Sequence, residues 1–588
     1  MKSFKIALGL AALATAPVCA QEGDHRSGGH ASLGDFDKIV VIYQENHSFD
    51  NLYGLWDAVG EREINGLRAL ERFEHAGQPG PWVQIRSSAD GSKPYLCLPQ
   101  NDVNLTSPAP LATICTDDTS GAGSPINGAF FDRFQIDEHI ASADTTCPAP
   151  GVFAPSGVAK GQGLAGGCTR DIVHRFYSEQ YQINGGQQNR YVTGSDAMGL
   201  VMGYYDTRKL PLYKYLHQPG APKYVIEDNF FQAAFGGSFL NHQWLIAAKT
   251  PVFANPVTDG SGNDLHSIVD ANGMPTKTPL YSSTNAATAA TLRDRSLTAY
   301  CAGDARNAAN LPPAPAGVAC GDYAVNTTQA WAWPYAPGTA DAKRLPPLAN
   351  PTIGDLLSAK NIDWAWYSGG WDNAEGNTSG KGWTNGVGGA CFDPNANPQT
   401  VGGVLRCPDK NFQYHHQAFN YFAAYAPGTD ARKAHLLDEA EFIDAAKNGK
   451  LKAVSFVKPL GADNEHPGYA SEAAGSNHLV ELVDAIVKGP DAQKTLIIVT
   501  YDEFGGAWDH VPPPPHNVDK SAPSDQWGPG TRIPALIISA RFRRSGVDSH
   551  AHDTTSVLKL IEERFGLPSL SSRDAAVRSL STAVTIAR

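Results

Sequence analysis

Short runs of nearly continuous apolar residues recur along the chain, and segments with helical periodicity separate them. The runs have the length of strands and do not alternate with polar positions, which is typical of strands covered on both faces. They occupy residues 38–43, 363–368, 453–457, 495–500 and 535–538. Helical spacing occurs at 352–359, 436–448, 477–488 and 554–565. This alternation predicts an α/β fold with a mostly parallel central sheet flanked by helices.

Two long segments, residues 85–170 and 250–345, interrupt the alternation and are rich in Gly, Pro, Ala and Asn. We interpret them as insertions in a single domain that spans residues 21–588. Eight cysteines follow residue 20, in four couples that are close in sequence: Cys97 and Cys115, Cys147 and Cys168, Cys301 and Cys320, Cys391 and Cys407. Pairing within couples would close four loops with disulfides, and zinc binding is the alternative.

Residues 1–20 have the pattern of a signal peptide. Lys2 and Lys5 precede an apolar run over residues 6–16, and small residues precede Gln21. The run is too short to span a bilayer as a stable helix. It predicts a periplasmic or secreted protein, with a lipoprotein as the weaker alternative.

The chain is poor in charge for its 588 residues: 18% are charged, and the formal net charge is −12. The sequence contains no basic patch, which argues against nucleic acid as a partner. No later segment is apolar over the length of a membrane span, so we expect no stable membrane anchor.

Acidic residues stand where two of the apolar runs end. Glu45-Asn46 comes after the first run, and Asp502-Glu503 comes after the fourth. Ligand-binding groups in α/β sheets gather at the carboxyl ends of strands, so neighbouring strands would bring these carboxylates together. They would repel one another unless a cation lies among them, and carboxylate and amide oxygens suit hard divalent ions. The alternative is that these acids cap the following helices.

A candidate nucleophile follows two glycines. Gly236 and Gly237 allow a tight turn that would present the hydroxyl of Ser238. From the residues alone, the favoured alternative is that Ser238 caps a helix over residues 239–248. Several histidines are candidates for acid, base or phosphate-binding roles, although most histidines in proteins are structural: His174, His415, His416, His466 and His510.

Together these motifs resemble the bacterial phosphoesterase family of acid phosphatases and phosphocholine-specific phospholipases C. The resemblance extends over about residues 36–566 and is carried by residues 45–50, 174–186, 203–206, 235–245, 416–419 and 501–511. It implies an alkaline-phosphatase-like core and one divalent metal ion of unspecified identity. The ion's ligands would be Glu45, Asn46, Ser238, Asp502 and Glu503. The catalytic residues would be Ser238, His174, His416 (with His415 as the alternative) and His466.

The segment after Gly237 bears on the choice between the two activities. Phospholipase C members of the family carry Thr-x-Pro-Asn-Arg where residues 238–242 read Ser-Phe-Leu-Asn-His. This departure favours an acid phosphatase that hydrolyses small phosphomonoesters through a phosphoserine. The alternative is a phospholipase C that acts on phosphodiesters such as phosphatidylcholine, with Trp364, Trp366 and Trp371 as candidates for a choline pocket. An oxygen-only ligand set argues against a dedicated zinc site.

Overall fold

A computed structural model describes most of the chain. The described residues are 32–72, 80, 82–85, 133–138, 169, 171–195, 198–254, 265–267, 269, 295–299, 318–386 and 390–588. The predicted signal peptide and most of the first predicted insertion lie outside these ranges.

Eight strands form the central sheet. They are β1 (Lys38–Gln44), β2 (Lys223–Glu227), β3 (Trp364–Ser368), β4 (Leu436–Asp438), β5 (Val454–Lys458), β6 (Thr495–Tyr501), β7 (Ala535–Ser539) and β8 (Gly546–Asp548). Their spatial order is β4-β3-β5-β1-β6-β7-β2-β8. β7 pairs antiparallel with both of its neighbours, and the other described pairings in this sheet are parallel. The mostly parallel sheet predicted from the apolar runs is confirmed.

The central strands lie in the core. Every residue of β6 is buried, and so is every residue of β1 after Lys38. Successive side chains of a strand point to opposite faces, so both faces of the sheet are covered. This explains why the strands are continuously apolar in the sequence.

Twelve α-helices lie within the described ranges. They are α1 (Phe49–Leu52), α2 (Phe176–Ile183), α3 (Pro211–His217), α4 (Ser238–Ala247), α5 (Ile353–Ala359), α6 (Trp371–Glu375), α7 (Asp430–His435), α8 (Glu439–Lys447), α9 (Glu472–Val487), α10 (Thr555–Phe565), α11 (Ser572–Ala576) and α12 (Ser581–Ile586). The helix predicted over residues 436–448 is wrong in its first three residues, which form β4 beside β3. Asp438 ends that strand and then caps α8 by accepting a hydrogen bond from Ala440 N.

Short two-stranded pairings decorate the sheet. They join Phe134–Gln135 with Gly203–Tyr204, Phe230–Phe231 with His552–Asp553, His266–Ser267 with Leu297–Ala299, Gln329–Ala330 with Arg344–Leu345, and Gln399–Val401 with Val404–Arg406. Two of these pairings belong to the second predicted insertion, and Leu297 and Leu345 pack into the main core cluster.

One predicted cysteine couple is observed in full. Cys391 and Cys407 form a disulfide with a Cα–Cα distance of 5.7 Å. Cys320 is also disulfide-bonded, and its predicted partner Cys301 lies outside the described residues, as do the other four cysteines of the predicted couples. Across the residues that the structure describes, no helix is both long and apolar enough to cross a membrane.

Candidate active site

The carboxyl ends of β1 and β6 build the centre of the site. The two strands pair in parallel up to Gln44 and Tyr501, so Glu45 and Asp502 leave the sheet side by side. The backbone N–H of Asn46 donates to Asp502 Oδ1 at 3.2 Å. Asn46 adopts a left-handed conformation with φ of 59°. Gly505 lies so close that a Cβ there would be 2.2 Å from the carbonyl oxygen of Asn46, so the approach of the two loops requires glycine.

Ser238 reaches this centre from the start of α4. It is the first residue of the helix, and Gly237 occupies the cap position without a side-chain hydrogen bond. The helix predicted over residues 239–248 is observed one residue earlier, and the alternative in which Ser238 caps it is wrong. Instead, Ser238 Oγ donates to Glu45 Oε2 at 3.1 Å, so the hydroxyl faces a carboxylate and not its own helix.

A buried carboxylate holds the turn before Ser238. Glu179 Oε2 accepts hydrogen bonds from Gly236 N at 2.5 Å and Gln232 Nε2 at 2.9 Å. Its other oxygen accepts two hydrogen bonds from the N–H and hydroxyl of Thr531. Burial raises the pKa of Glu179 to about 7. Glu179 shows no distinctive pattern in the sequence, and its contacts fix the turn that positions the serine.

His174 and His466 line the same centre, with ring centroids 6.1 Å apart. In each ring Nδ1 lies 2.6 Å from a backbone carbonyl, of Ile172 and of Pro467 respectively. A carbonyl can only accept, so Nδ1 carries the proton and Nε2 faces the site. His174 Nε2 lies 3.6 Å from Glu503 Oε1.

His466 also orients the predicted amide ligand. Its Nε2 lies 2.9 Å from Asn46 Nδ2. Because Nδ1 of this ring carries the proton, Nε2 must accept from the amide N–H. The amide oxygen Oδ1 of Asn46 is buried and has no hydrogen-bond partner among the described residues. It is therefore available as an oxygen ligand.

His416, rather than its neighbour, contacts the carboxylates. Its Nε2 lies 3.1 Å from Glu45 Oε1, and its ring stacks on that of His242 at 4.9 Å. Sequence analysis missed His242, although it stands one helical turn after Ser238. Its Nδ1 lies 2.7 Å from the carbonyl of Ser238, which leaves Nε2 facing Glu45 Oε1 at 4.0 Å. Burial, followed by the charge of Lys458, lowers the pKa of both rings well below the usual range.

Lys458, the last residue of β5, is a further residue that sequence analysis missed. Its buried ammonium group contacts Glu45 Oε1 and donates to the carbonyl of Tyr43 at 3.0 Å. Its position in the sequence could have indicated this role, because Lys458 directly follows the apolar run at residues 453–457, just as Glu45 follows the run at residues 38–43. It supplies one positive charge against three buried carboxylates.

We expect Lys458→Met to destabilise the metal-free protein by about 3–5 kcal/mol, because it leaves the buried Glu45 carboxylate without its cation. Lys452→Met is the matched control, since Lys452 pairs with the largely exposed Asp363. That change should cost about 1 kcal/mol or less. Urea unfolding in the presence of a chelator measures both, and equal losses would contradict the role of Lys458.

The electrostatics of the centre are those of a cation site. Burial and the charge of Asp502 raise the pKa of Glu45 and of Glu503 well above the usual range. Asp502 Oδ2 and Glu503 Oε1 are buried and, like Asn46 Oδ1, accept no hydrogen bond from the described residues. Buried carboxylate and amide oxygens of this kind are the ligands that a hard divalent ion prefers. One ligand atom from each of Glu45, His242 and His416 also lies within 4.8 Å of the others, so nitrogen donors lie beside the oxygen ligands predicted from the sequence.

Asp509 and His510, from the motif at residues 501–511, form a second cluster of charged side chains. Asp509 and Asp50 both bind Arg532, which is fully buried. His510 Nδ1 lies 2.6 Å from Asp50 Oδ2. Because a guanidinium group already pairs with both carboxylates, this cluster ties the loop after β6 to α1 and does not resemble the cation centre.

The fold and this centre define a class: a mostly parallel α/β protein with clustered carboxylates, histidines and a serine at the strand ends, as in hydrolases that act on phosphate esters. The phosphoesterase family model matches residues 36–568. The chain belongs to the phosphoesterase family.

Several phospholipases C are similar to parts of the chain. Phospholipase C B of Mycobacterium tuberculosis is 33% identical over 168 residues, which are 25% of this chain and 32% of that protein. The non-hemolytic phospholipase C of Pseudomonas aeruginosa is 29% identical over 182 residues, 25% of each chain. The chain therefore aligns with about a third or less of the length of these relatives.

Solved structures overlap with the chain more loosely. A protein in the alkaline phosphatase superfamily from Vibrio parahaemolyticus has 16% sequence identity and a TM-score of 0.20. The match covers 39% of this chain and 51% of that one.

Proposed function

We propose that the chain is an exported, single-domain, metal-dependent acid phosphatase that hydrolyses phosphomonoesters through a phosphoserine at Ser238. The observation that carries the proposal is the hydroxyl of Ser238, held 3.1 Å from Glu45 Oε2. It is supported by the buried oxygens of Asn46, Asp502 and Glu503, which have no hydrogen-bond partner among the described residues. The disulfide between Cys391 and Cys407 supports an oxidising compartment.

In this proposal Glu45, Asn46, Asp502, Glu503 and Ser238 hold one divalent ion. When bound, the ion would lower the pKa of the serine hydroxyl and offset charge on the phosphate oxygens.

The chain's own groups set up the attack. Ser238 Oγ directs its proton to Glu45 Oε2, which leaves an oxygen lone pair for attack on phosphorus. Ser238 begins α4, and the first N–H groups of a helix have no intrahelical acceptor. They and the helix dipole favour a phosphate at this end. The P–O bond to the alcohol then breaks as the serine ester forms, and water later cleaves that ester.

The histidines would bind the phosphate and supply protons. His174 Nε2 faces the site beside Glu503, and His416 Nε2 faces Glu45. His466 Nε2 accepts from Asn46 Nδ2, so His466 orients Asn46. His174, when protonated at both ring nitrogens, would protonate the leaving group from Nε2.

A phospholipase C activity is the second candidate, because the curated relatives carry that name. The predicted choline pocket does not support it: Trp364, Trp366 and Trp371 are at most 3% exposed and pack in the core. His242, where family phospholipases carry arginine, packs against the carboxylates.

A substrate panel separates the two candidates. We expect turnover of p-nitrophenyl phosphate to exceed that of bis-p-nitrophenyl phosphate and of phosphatidylcholine vesicles by at least about tenfold. Chelation should abolish turnover, and a divalent metal should restore it. Faster hydrolysis of phosphatidylcholine than of the monoester would support the phospholipase, and hydrolysis unaffected by complete metal removal would contradict both.

A further inference from the structure

A second group of buried, chemically reactive side chains lies at the same edge of the sheet, away from the active site. It consists of Glu227 at the end of β2, Asp548 at the end of β8, and His552. Two strand positions separate β2 from β6. At the usual spacing of strands and residues, Glu227 lies roughly 10–15 Å from Asp502.

The backbone forces the two carboxylates together. β2 and β8 pair in parallel with Glu227 opposite Asp548, so both side chains emerge on the same face of the sheet. Like charges in such a pair are destabilising. His552 joins them because its short strand pairs with Phe230–Phe231, which directly follows β2. One ligand atom from each of the three side chains lies within 4.8 Å of the others.

The side chains are buried, and four of their polar atoms have no hydrogen-bond partner among the described residues. Glu227, Asp548 and His552 are at most 2% exposed. Both carboxylate oxygens of Glu227, Oδ2 of Asp548 and Nδ1 of His552 have no hydrogen-bond partner among the described residues. Nδ1 of His552 lies only 3.0 Å from Glu227 Oε2. Leaving such atoms unpaired is costly, which favours a bound cation or a proton among them.

The neighbouring residue His550 holds one oxygen of the Asp548 carboxylate. Asp548 Oδ1 accepts from the backbone N–H of His550 at 3.1 Å and lies 2.6 Å from that residue's Nδ1. Its other oxygen, Oδ2, has no hydrogen-bond partner among the described residues and is available as a ligand atom. Metal-binding carboxylates are commonly oriented in this way by a hydrogen bond to the oxygen that does not bind the ion.

We propose that Glu227, Asp548 and His552 bind a second divalent cation, of the transition-metal class typified by zinc and manganese. Two carboxylates and one imidazole nitrogen form a mixed oxygen and nitrogen set that these ions accept, whereas calcium and magnesium prefer oxygen alone. The carboxylates carry two negative charges, which the ion would neutralise.

The cation would have a structural role. It would join the end of β2 to β8 and to the strand at His552, and the chain after β2 continues through Phe230–Phe231 to the turn at Gly236. The site therefore braces the segment that carries Ser238 without contacting the reacting atoms. The proposal does not depend on the proposed function.

The alternative occupant is a proton on Glu227, and metal analysis distinguishes the two. We expect the full-length protein, equilibrated with Zn²⁺ or Mn²⁺ and desalted, to hold two ions per chain. Glu227→Gln and His552→Ala should each lose one, Asp502→Asn should lose the other, and Asp444→Asn, which changes a surface ion pair with Lys381, should lose neither. Unchanged metal content in both Glu227→Gln and His552→Ala would overturn the proposal.

Thermal unfolding provides a second measurement that does not depend on catalysis. In an Asp502→Asn background, added Zn²⁺ or Mn²⁺ should raise Tm by about 3 °C or more. The rise should disappear when Glu227→Gln is added. This change preserves the shape of the side chain, and the circular dichroism spectrum should stay the same. A protein whose Tm in the Asp502→Asn background does not respond to either ion holds a proton at this cluster, and the proposal fails.

Discussion

Ser238→Ala is expected to lower kcat on p-nitrophenyl phosphate by on the order of 10⁴-fold at saturating metal, because it removes the attacking oxygen. The fold should not change. Ser238 begins α4, but its side chain does not cap the helix, and Gly237 would still occupy the cap position. An acid quench during turnover should trap a phosphorylated peptide containing residue 238 in the wild type but not in the variant.

Ser178→Ala is the matched control for this experiment. Ser178 is fully buried, and its hydroxyl has no hydrogen-bond partner among the described residues, so its loss should leave kcat within about twofold. If Ser238→Ala retained near wild-type turnover with metal bound, a water molecule rather than the serine would be the nucleophile, and the phosphoserine mechanism would be wrong.

The centre of the site was predictable because it obeys a rule of sheets. β1 and β6 are both continuously apolar, and each ends in an acid. They pair in parallel from Lys38–Thr495 to Gln44–Tyr501. Glu45 and Asp502 therefore lie side by side where the strands end, as expected for neighbouring parallel strands. The sequence alone did not establish that these two strands are neighbours, because more than 450 residues separate the two acids.

Other residues of the site were not predictable, because their roles depend on packing between distant elements. Glu179 and His242 lie on helices and show no distinctive local pattern. Glu179 acts through contacts to Gly236 and Thr531, and His242 through its stacking on His416. The second acidic cluster depends on the pairing of β8 with β2, and β8 has only three residues, too few for a hydrophobic pattern to reveal.

Asp502→Asn should have opposite effects on stability with and without metal. The asparagine oxygen can still accept the hydrogen bonds that Asp502 Oδ1 receives from Asn46 N and Glu503 N, so the loop geometry should persist. In a chelator the variant should be more stable than the wild type by about 1–3 kcal/mol, because one of three clustered buried carboxylates is gone. With metal the order should reverse, and kcat should fall by about 10³-fold or more.

The reversal of the order of stability between chelator and metal distinguishes a cation-binding carboxylate from one that only stabilises the loop. Glu563→Gln, which alters an exposed carboxylate that accepts a hydrogen bond of 3.3 Å from Ser581, should change neither value by more than about 0.5 kcal/mol. If Asp502→Asn were less stable than the wild type under both conditions, Asp502 would stabilise the loop through its hydrogen bonds alone. If it were more stable under both, the carboxylates would carry strain that no ion relieves. The reversal is expected only if an ion binds among Glu45, Asp502 and Glu503.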